Sequence, residues 1–275
     1  MKFSVLMSVY ARERPSHFDA AIESVVNQSV PPEEFVVVED GPLPDELREV
    51  AERWERKLGS DVFRRLPLPQ NVGLPKALNE GLKLCRCEWV ARMDTDDVSL
   101  PDRFEKQVTF LENHPQIRLL GGQVEEYSDD LVARLGARHV PLTHEEIVRF
   151  ARTRNPFNHM TVMFHRESVL SVGGYPPELL KVQDFGLWAK MLVKGYRAAN
   201  LSDVLAKVRA GNDILRRRMG TEYFRYEWRL FNLMRQWGFL STWDYFIAVG
   251  SRLVIRYLPQ DAIEFVYSRV LQRGV

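Results

Sequence analysis

The sequence has few cysteines, little net charge and no long apolar run, and each shortage excludes a class of protein. Its two cysteines, Cys85 and Cys87, are too close in sequence for an ordinary disulfide and too few for a zinc site, so free thiols in a reducing cytoplasm are expected. The formal net charge is +1, whereas a general nucleic-acid binder is strongly basic. The apolar run at residues 3–10 is shorter than the about 18–20 residues of a membrane span and lacks the flanks of a secretory signal. We therefore predict neither a nucleic-acid partner nor a membrane-spanning helix.

The composition and the charge distribution point to a folded body with a distinct tail. Hydrophobic residues make up 45% and charged residues 27% of the 275 residues, which excludes a disordered chain. Residues 215–275 contain ten arginines and no lysine and carry a net charge of +5, while the first 214 residues carry −4. Aromatic residues are interleaved with these arginines. Such helices either pack on the body or lie on an anionic membrane surface, and both alternatives stay open.

Apolar periodicity predicts strands that alternate with helices over the first hundred residues. The predicted strands span residues 3–10, 35–38, 62–66 and 89–93, and the helices between them carry apolar residues at helical spacing over 18–26, 43–58 and 74–82. This alternation predicts an α/β fold with a mostly parallel, Rossmann-like central sheet flanked by helices. Further on, we predict helices at 104–111, 143–151 and 185–193, extended segments at 117–120 and 160–164, and three helices from about residue 213.

Polar side chains follow the predicted strands at the points where ligands bind in open α/β sheets. Ser8 and Tyr10 end the first strand, Asp40 follows the second, and Asp94 and Asp96 follow the fourth. Glu39-Asp40-Gly41 could equally be an ordinary turn, because Asp and Gly are common turn residues.

The acidic string Asp94-Thr95-Asp96-Asp97 is more specific. Three carboxylates within four residues repel one another unless a cation or hydrogen-bond donors offset the charge. Alternate residues of an extended segment point to the same side, so Asp94 and Asp96 could hold a divalent ion that also binds phosphate oxygens. The alternative is a solvated acidic loop.

Seven strings that occur in order along the chain resemble family 2 glycosyltransferases with the GT-A fold, and among them the bacterial exopolysaccharide, amylovoran-type group. The strings are SVLMSVY, VEDGPL, NVGLPKALNEGL, ARMDTDDVSLPDRFEKQ, NPFNHMTVMFHRESV, GGY and QDFGLWAKMLVKGY. The resemblance implies an inverting transfer of a sugar from a nucleotide diphosphate sugar, a UDP-sugar first of all, to a hydroxyl of a growing glycan or a polyprenyl-diphosphate-linked acceptor. It also implies Mn²⁺ or Mg²⁺ as cofactor.

The same resemblance divides the chain and places it in the cell. It implies a catalytic domain over residues 1–212, with the nucleotide part at about 1–100 and the acceptor part at about 101–212, and a helical C-terminal appendage over 213–275. It implies a cytoplasmic protein that can contact the inner face of the membrane through the C-terminal helices.

The resemblance also assigns roles to individual residues. Asp184 would be the catalytic base that accepts the proton of the acceptor hydroxyl, and Asp96 would bind the metal. Many relatives have two aspartates where this chain has Glu39-Asp40, so the base-binding role rests on Asp40. Relatives usually have a Glu-Asp pair where this chain has Gln183-Asp184, and Gln183 removes a neighbouring charge. The nucleotide-sugar-binding residues would be Ser8, Val9, Tyr10, Asp40, Asn71, Lys76, Asn79 and Asp94.

Several alternatives stand beside these roles. Asp184 could be the N-cap of the helix at 185–193. His159 is placed on the acceptor side by the resemblance, although a single histidine is more often a structural hydrogen-bonding residue. Arg209 and Arg217 could contact the diphosphate or belong to a solvated helix end.

Two other functions are compatible with parts of the sequence. The string DTDDVS after a strand suggests a haloacid dehalogenase-type phosphotransferase, but those enzymes carry paired aspartates near the first strand. Gln183 and Glu39 depart from the family pattern and leave room for a degenerate member that acts as a non-catalytic scaffold.

Overall fold

The computed structural model describes residues 1–210 and 220–257. Within these ranges the strands are β1 Phe3–Val9, β2 Glu34–Glu39, β3 Phe63–Pro67, β4 Trp89–Arg92, β5 Val98–Ser99, β6 Ile117–Tyr127, β7 Arg134–Arg138, β8 Met163–His165 and β9 Arg197–Arg209. The helices in the same ranges are α1 Pro15–Val26, α2 Asp45–Leu58, α3 Leu74–Leu84, α4 Arg103–Asn113, α5 His144–Phe150, α6 Arg166–Ser171, α7 Gln183–Val193, α8 Gly220–Gln236 and α9 Thr242–Tyr257, with a 3-10 turn at His159–Thr161.

The strands form one mixed sheet in the order β3-β2-β1-β4-β8-β6-β9-β5, with β7 paired to β6. The first four strands in this order are parallel, and β1 lies between β2 and β4. All seven residues of β1 are buried, as expected of a strand with helices on both faces. The predicted α/β class is confirmed. In the second half of the chain, β8 joins the two parallel groups through antiparallel pairing with β4 and β6.

Two apolar cores lie on opposite faces of the sheet because successive side chains of a strand alternate. Leu6 packs in the core with Leu78 of α3, and its neighbour Val5 packs in the other core with Ile22 of α1. Helix α3 approaches the sheet closely at Gly81, where a Cβ would lie 2.5 Å from a methyl group of Leu6. Each fully buried side chain of this kind contributes about 1.5–3 kcal/mol to stability.

The prediction of an extended segment at 160–164 is wrong for the first half of that segment. Residues His159–Thr161 form a 3-10 turn, and β8 begins only at Met163. Side-chain hydrogen bonds explain the difference: Asn158 Nδ2 donates to the carbonyl of Gly122 at 2.9 Å, and Thr161 Oγ1 donates to the carbonyl of Asn158 at 2.8 Å. Such local bonds compete with a strand ladder. Apolar periodicity also misses β7, the hairpin partner of β6, and β9, which pairs with β6 from a distant part of the chain.

The C-terminal helices α8 and α9 form a hairpin against α7. Phe231 of α8 makes an edge contact with Phe185 of α7 at 6.3 Å between ring centroids. Between the two helices, buried Glu227 accepts hydrogen bonds from Arg256 Nε and Nη2 at 2.9 and 2.7 Å. Two of the three predicted helices of the tail are therefore present, and the third lies outside the described residues. No helix in residues 1–210 and 220–257 is long and apolar enough to cross a membrane.

Candidate active site

The carboxyl ends of β1, β2 and β4 lie at one edge of the sheet, where their following loops carry polar side chains. Val9 pairs with Glu39 across β1 and β2, and Leu6 pairs with Arg92 across β1 and β4. This register brings the predicted residues Ser8, Asp40 and Asp94 to the same edge. Such an edge is the usual ligand-binding position of an open α/β sheet.

Asp40 is 4% exposed and ties the loop after β2 to the loop before α3. Its two carboxylate oxygens accept the backbone N–H groups of Val72 and Gly73 at 2.7 and 3.1 Å. Asn71 Nδ2 donates to the backbone carbonyl of Asp40 at 3.1 Å. Gly41 has a φ of +88°, and a Cβ at this position would lie 2.6 Å from the Asn71 nitrogen. The two loops therefore form one unit that only glycine permits at this turn.

The other nucleotide-side residues differ in how accessible they are. Ser8 is 8% exposed, whereas the Val9 side chain is fully buried in the core and Tyr10 is 39% exposed. Lys76 is exposed in the first turn of α3. Asn79 is bound at both ends of its amide, because Nδ2 donates to the Tyr175 carbonyl at 2.8 Å and Oδ1 accepts the Tyr175 N–H at 2.8 Å.

The three aspartates after β4 have three different environments. Asp94 Oδ1 accepts a hydrogen bond from Arg92 Nη2 at 2.6 Å, and the Arg92 side chain is 1% exposed. Asp97 is 3% exposed, and its Oδ1 accepts the backbone N–H of Arg209 at 3.0 Å. Asp96 is exposed, although neighbouring protein atoms surround much of its carboxylate. Asp94 and Asp97 thus hold the loop in place and leave Asp96 available to a ligand.

The electrostatics of this acidic loop favour a cation. Desolvation and then repulsion from Asp94 raise the pKa of Asp96. Desolvation and then the charges of Asp96 and Asp94 raise the pKa of Asp97 well above its ordinary value. No group of three or more His, Cys, Asp or Glu residues in the described part of the chain is arranged to hold a metal by itself. Mg²⁺ and Mn²⁺ sites of this kind are commonly completed by phosphate oxygens and water.

Asp184 lies at the start of α7 but does not cap it. The helix begins at Gln183, its N-cap is Val182, and no side chain makes a cap hydrogen bond. Asn155 Nδ2 donates to Asp184 Oδ2 at 2.6 Å. The N-cap alternative for Asp184 is therefore wrong. Gln183 is 6% exposed, and its Oε1 has no hydrogen-bond partner among the described residues.

His159 and Tyr175 form a buried pair whose pKa values are both affected by the charges of Asp94 and Asp184. His159 Nε2 and the Tyr175 hydroxyl are 3.0 Å apart. Burial and then the charge of Arg92 lower the pKa of His159, while the charges of Asp94 and Asp184 oppose this shift. The charges of Asp94 and Asp184 thus both affect His159. At 8% exposure, His159 is a buried hydrogen-bonding residue.

Arg209 binds the acidic loop from the end of β9. Its Nη1 donates to the Asp96 carbonyl, and its Nε donates to the Asp129 carbonyl at 2.8 Å. Together with the backbone bond to Asp97, these contacts hold the metal candidate against the β6–β7 hairpin. Arg217 lies outside the described residues.

Sequence reasoning missed the buried polar residues that support this site. Arg92 and Arg103 are nearly inaccessible, and Arg103 Nη2 donates to the Arg92 carbonyl at 2.8 Å. Burial lowers the pKa of Arg103 to about 9. An arginine inside the apolar run WVARM is a signal that could have been used, because arginine is almost never buried without a partner. Asn155 and Tyr175 gave no comparable signal.

The strand order and the acidic loop at the sheet edge define an α/β protein of the GT-A class. Residues 4–173 match the family described as Glycosyl transferase family 2. The chain is 41% identical over 270 residues to the amylovoran biosynthesis glycosyltransferase AmsE of Erwinia amylovora, covering 97% of this chain and 98% of that protein. The chain therefore belongs to glycosyl transferase family 2 and is a glycosyltransferase.

Two further comparisons cover nearly the whole chain. A UDP-Gal:alpha-D-GlcNAc-diphosphoundecaprenol beta-1,3-galactosyltransferase of Escherichia coli is 32% identical over 272 residues, covering 99% of this chain and 97% of that protein. The mannosyltransferase PcManGT of Pyrobaculum calidifontis, solved in complex with GDP-Man and Mn²⁺, superposes with a TM-score of 0.61 at 17% identity over 97% of this chain and 79% of that one. This structural likeness concerns the fold.

Proposed function

We propose that this glycosyltransferase acts in polysaccharide biosynthesis and transfers a sugar, with inversion, from a UDP-sugar to a hydroxyl of a lipid-linked glycan. The observation that carries the proposal is the placement of Asp40 and Asp94 at the ligand-binding edge of the sheet, with Asp96 accessible in the loop that follows β4. The E. coli relative, a galactosyltransferase named for a UDP-Gal donor and a GlcNAc-diphosphoundecaprenol acceptor, supports the choice of substrates. Residues 1–212 would form the catalytic domain and 213–275 its helical appendage.

A divalent ion, Mn²⁺ or Mg²⁺, fits the acidic loop. The exposed Asp96 carboxylate has a raised pKa because of desolvation and the Asp94 charge, and a bound cation would relieve that repulsion. Asp96 would hold the ion, which when bound neutralises charge on the leaving diphosphate. Asp94, oriented by Arg92, would contact the ribose or the sugar. Asp40 and Asn71 would line the nucleotide base from the loop unit described above.

Asp184 would act as the general base. Inverting transfer in one displacement requires a carboxylate that accepts the proton of the attacking hydroxyl. Asp184 is partly exposed in the first turn of α7, where an acceptor can reach its carboxylate. Asn155 holds one carboxylate oxygen, which leaves the other oxygen for the acceptor.

UDP release tests the proposal. Purified protein with Mn²⁺ is incubated with UDP-Glc, UDP-Gal, UDP-GlcNAc or GDP-Man and a synthetic GlcNAc-diphosphate lipid. We expect acceptor-dependent release of UDP, loss of nucleotide binding in Asp96→Ala, and loss of turnover with donor binding retained in Asp184→Asn. Absence of turnover with every donor, together with wild-type nucleotide affinity in Asp96→Ala, would refute the proposed reaction.

We also propose that α9 docks on an anionic membrane surface. Its outer face has no charged side chain and exposes Trp243, Phe246, Ile247 and Val254 by 57–78%. These positions follow helical spacing and form one stripe. Buried contacts hold the other face, since Ala248 is fully buried and Arg252 Nη2 donates to the Thr153 carbonyl at 2.6 Å. An aromatic apolar stripe in a segment of net charge +5 suits anionic lipid.

Vesicle co-sedimentation tests this docking. We expect binding to phosphatidylglycerol vesicles, weaker binding to phosphatidylcholine vesicles, and loss of binding when Trp243, Phe246 and Ile247 are replaced together by serine. Val132→Ser is the matched control, because Val132 is 78% exposed on the β6–β7 hairpin. Equal sedimentation of the triple variant and the wild type would contradict the proposal, as would a wild-type dimer that the triple variant converts to monomer.

A further inference from the structure

We infer that Asn155 is a positioning residue that fixes the carboxylate of Asp184 for proton transfer, an inference that rests on the proposed function. Asn155 Nδ2 donates to Asp184 Oδ2 at 2.6 Å. A side-chain amide donates hydrogen bonds but takes up no proton at ordinary pH. Within this pair, Asp184 is therefore the group that can act as a base, and Asn155 determines where its oxygens point.

Asn155 is itself held by a turn. Its Oδ1 accepts the backbone N–H of Phe157 at 3.2 Å, which orients the amide so that Nδ2 faces Asp184. The following residue, Pro156, restricts the backbone of Asn155 to extended conformations. The Pro156 carbonyl accepts a hydrogen bond from Asn200 Nδ2 of β9 at 3.1 Å. The turn is thus anchored to the central sheet independently of α7.

A second contact fixes the same face of α7 against this turn. Phe157 makes an edge contact with Trp188 at 5.6 Å between ring centroids, and Trp188 is fully buried. Asp184 and Trp188 are four residues apart and so lie on one side of the helix. The contact between Phe157 and Trp188 fixes the distance between the turn and α7. The hydrogen bond from Asn155 then fixes the rotation of the Asp184 carboxylate.

In this arrangement the two carboxylate oxygens of Asp184 have different roles. Oδ2 is engaged by Asn155, and Oδ1 remains for the acceptor hydroxyl. The preceding residue, Gln183, is neutral and buried, so it supplies no second charge that could orient Asp184. A misplacement of about 1 Å at such a group costs about 100-fold in rate. Asn155 should therefore affect the chemical step more than donor binding.

The test separates the amide donor from the turn. Asn155→Asp keeps an oxygen that accepts the Phe157 N–H but replaces the donor to Asp184 with a second carboxylate. With the donor and acceptor that turn over in the UDP-release assay, we expect kcat to fall about 100-fold, the acid limb of the pH–rate profile to move to higher pH, and donor KM to change less than about twofold. Asn155→Ala should show a smaller fall, since it adds no repulsion.

Asn113→Asp is the matched control, because Asn113 Nδ2 donates only to the Thr109 carbonyl on the exposed surface of α4. Wild-type kcat in Asn155→Asp would overturn the inference, as would a parallel loss of thermal stability and donor affinity. The Asp184→Asn variant distinguishes failure of the proposed base from failure of the positioning role of Asn155. If Asp184→Asn retains turnover, the proposed base is wrong. If it abolishes turnover while Asn155→Asp does not reduce it, only the positioning role is wrong.

Discussion

Arg92 and Asp94 form the pair whose disruption gives the sharpest prediction for stability. Arg92 is 1% exposed, and Asp94 at 23% exposure neutralises it through a 2.6 Å contact. The other hydrogen bond of the Arg92 guanidinium is a long one, from Nη1 to the Leu6 carbonyl at 3.3 Å. Asp94→Ala would leave a guanidinium charge buried with no carboxylate partner.

The expected magnitude follows from that burial. Removing one partner of a buried ion pair costs about 3–5 kcal/mol, and the partial exposure of Asp94 places the cost near the lower value. At about 2–4 °C per kcal/mol for a chain of this size, the melting temperature should fall by about 6–12 °C. Asp96→Ala removes an exposed carboxylate with a raised pKa and should change stability by less than about 0.5 kcal/mol.

Urea denaturation followed by tryptophan fluorescence measures both variants, and thermal melting gives a second measure. The double variant Arg92→Met with Asp94→Ala should recover much of the stability lost in Asp94→Ala, because replacing both charges by apolar groups removes the uncompensated charge. Equal stability of Asp94→Ala and Asp96→Ala would refute the reasoning. A double variant less stable than Asp94→Ala would refute it as well.

Three further predictions follow from buried contacts. Asn79→Ala should lower the free energy of unfolding by about 2 kcal/mol, because it leaves the Tyr175 N–H and carbonyl without partners, while donor KM stays unchanged; a raised KM at wild-type stability would instead give Asn79 the predicted binding role. His159→Gln should reduce the loss of melting temperature between about pH 7.5 and 5.5: the folded pKa of His159 lies below its ordinary 6.5, so the stability from its neutral form is complete above that value and declines as the pH falls. Glu227→Ala should leave the partly buried Arg252 and Arg256 without their carboxylate partner and increase cleavage of the α8–α9 hairpin in limited proteolysis, whereas exposed Glu222→Ala should not.

The sequence allowed the fold to be predicted where elements form from local patterns. The first three helices and strands β1 to β4 carry local apolar patterns, and they appear within a few residues of the predicted bounds. Strand β9 has no such pattern, because its buried residues do not alternate regularly and its pairing with β6 shifts register at three points. Non-local pairing of this kind leaves little trace in a local window.

In the site, too, the residues set by local sequence could be predicted, whereas those set by distant contacts could not. Strand-end aspartates could be found because they interrupt apolar runs, and the structure brings Asp40 and Asp94 to one edge of the sheet. The separate environments of Asp94, Asp96 and Asp97 could not be predicted, since they depend on Arg92 inside the sheet and Arg209 more than a hundred residues away. The role of Asn155 could not be predicted either, because it depends on the position of α7, which carries Asp184.

Strand β9 separates the contact that holds the Asn155 turn from the contact that holds the Asp96 loop. Asn200, in its first half, anchors the turn that carries Asn155, and Arg209, at its end, binds the loop that carries Asp96. Nine residue steps of strand separate these anchors, about 30 Å of backbone. Loops at this edge can change length without consequence for the spacing, but a single insertion or deletion within β9 would displace one anchor relative to the other and reverse its side chains. Substrate range in proteins built this way should therefore diverge through loops, while the length of this strand stays constant.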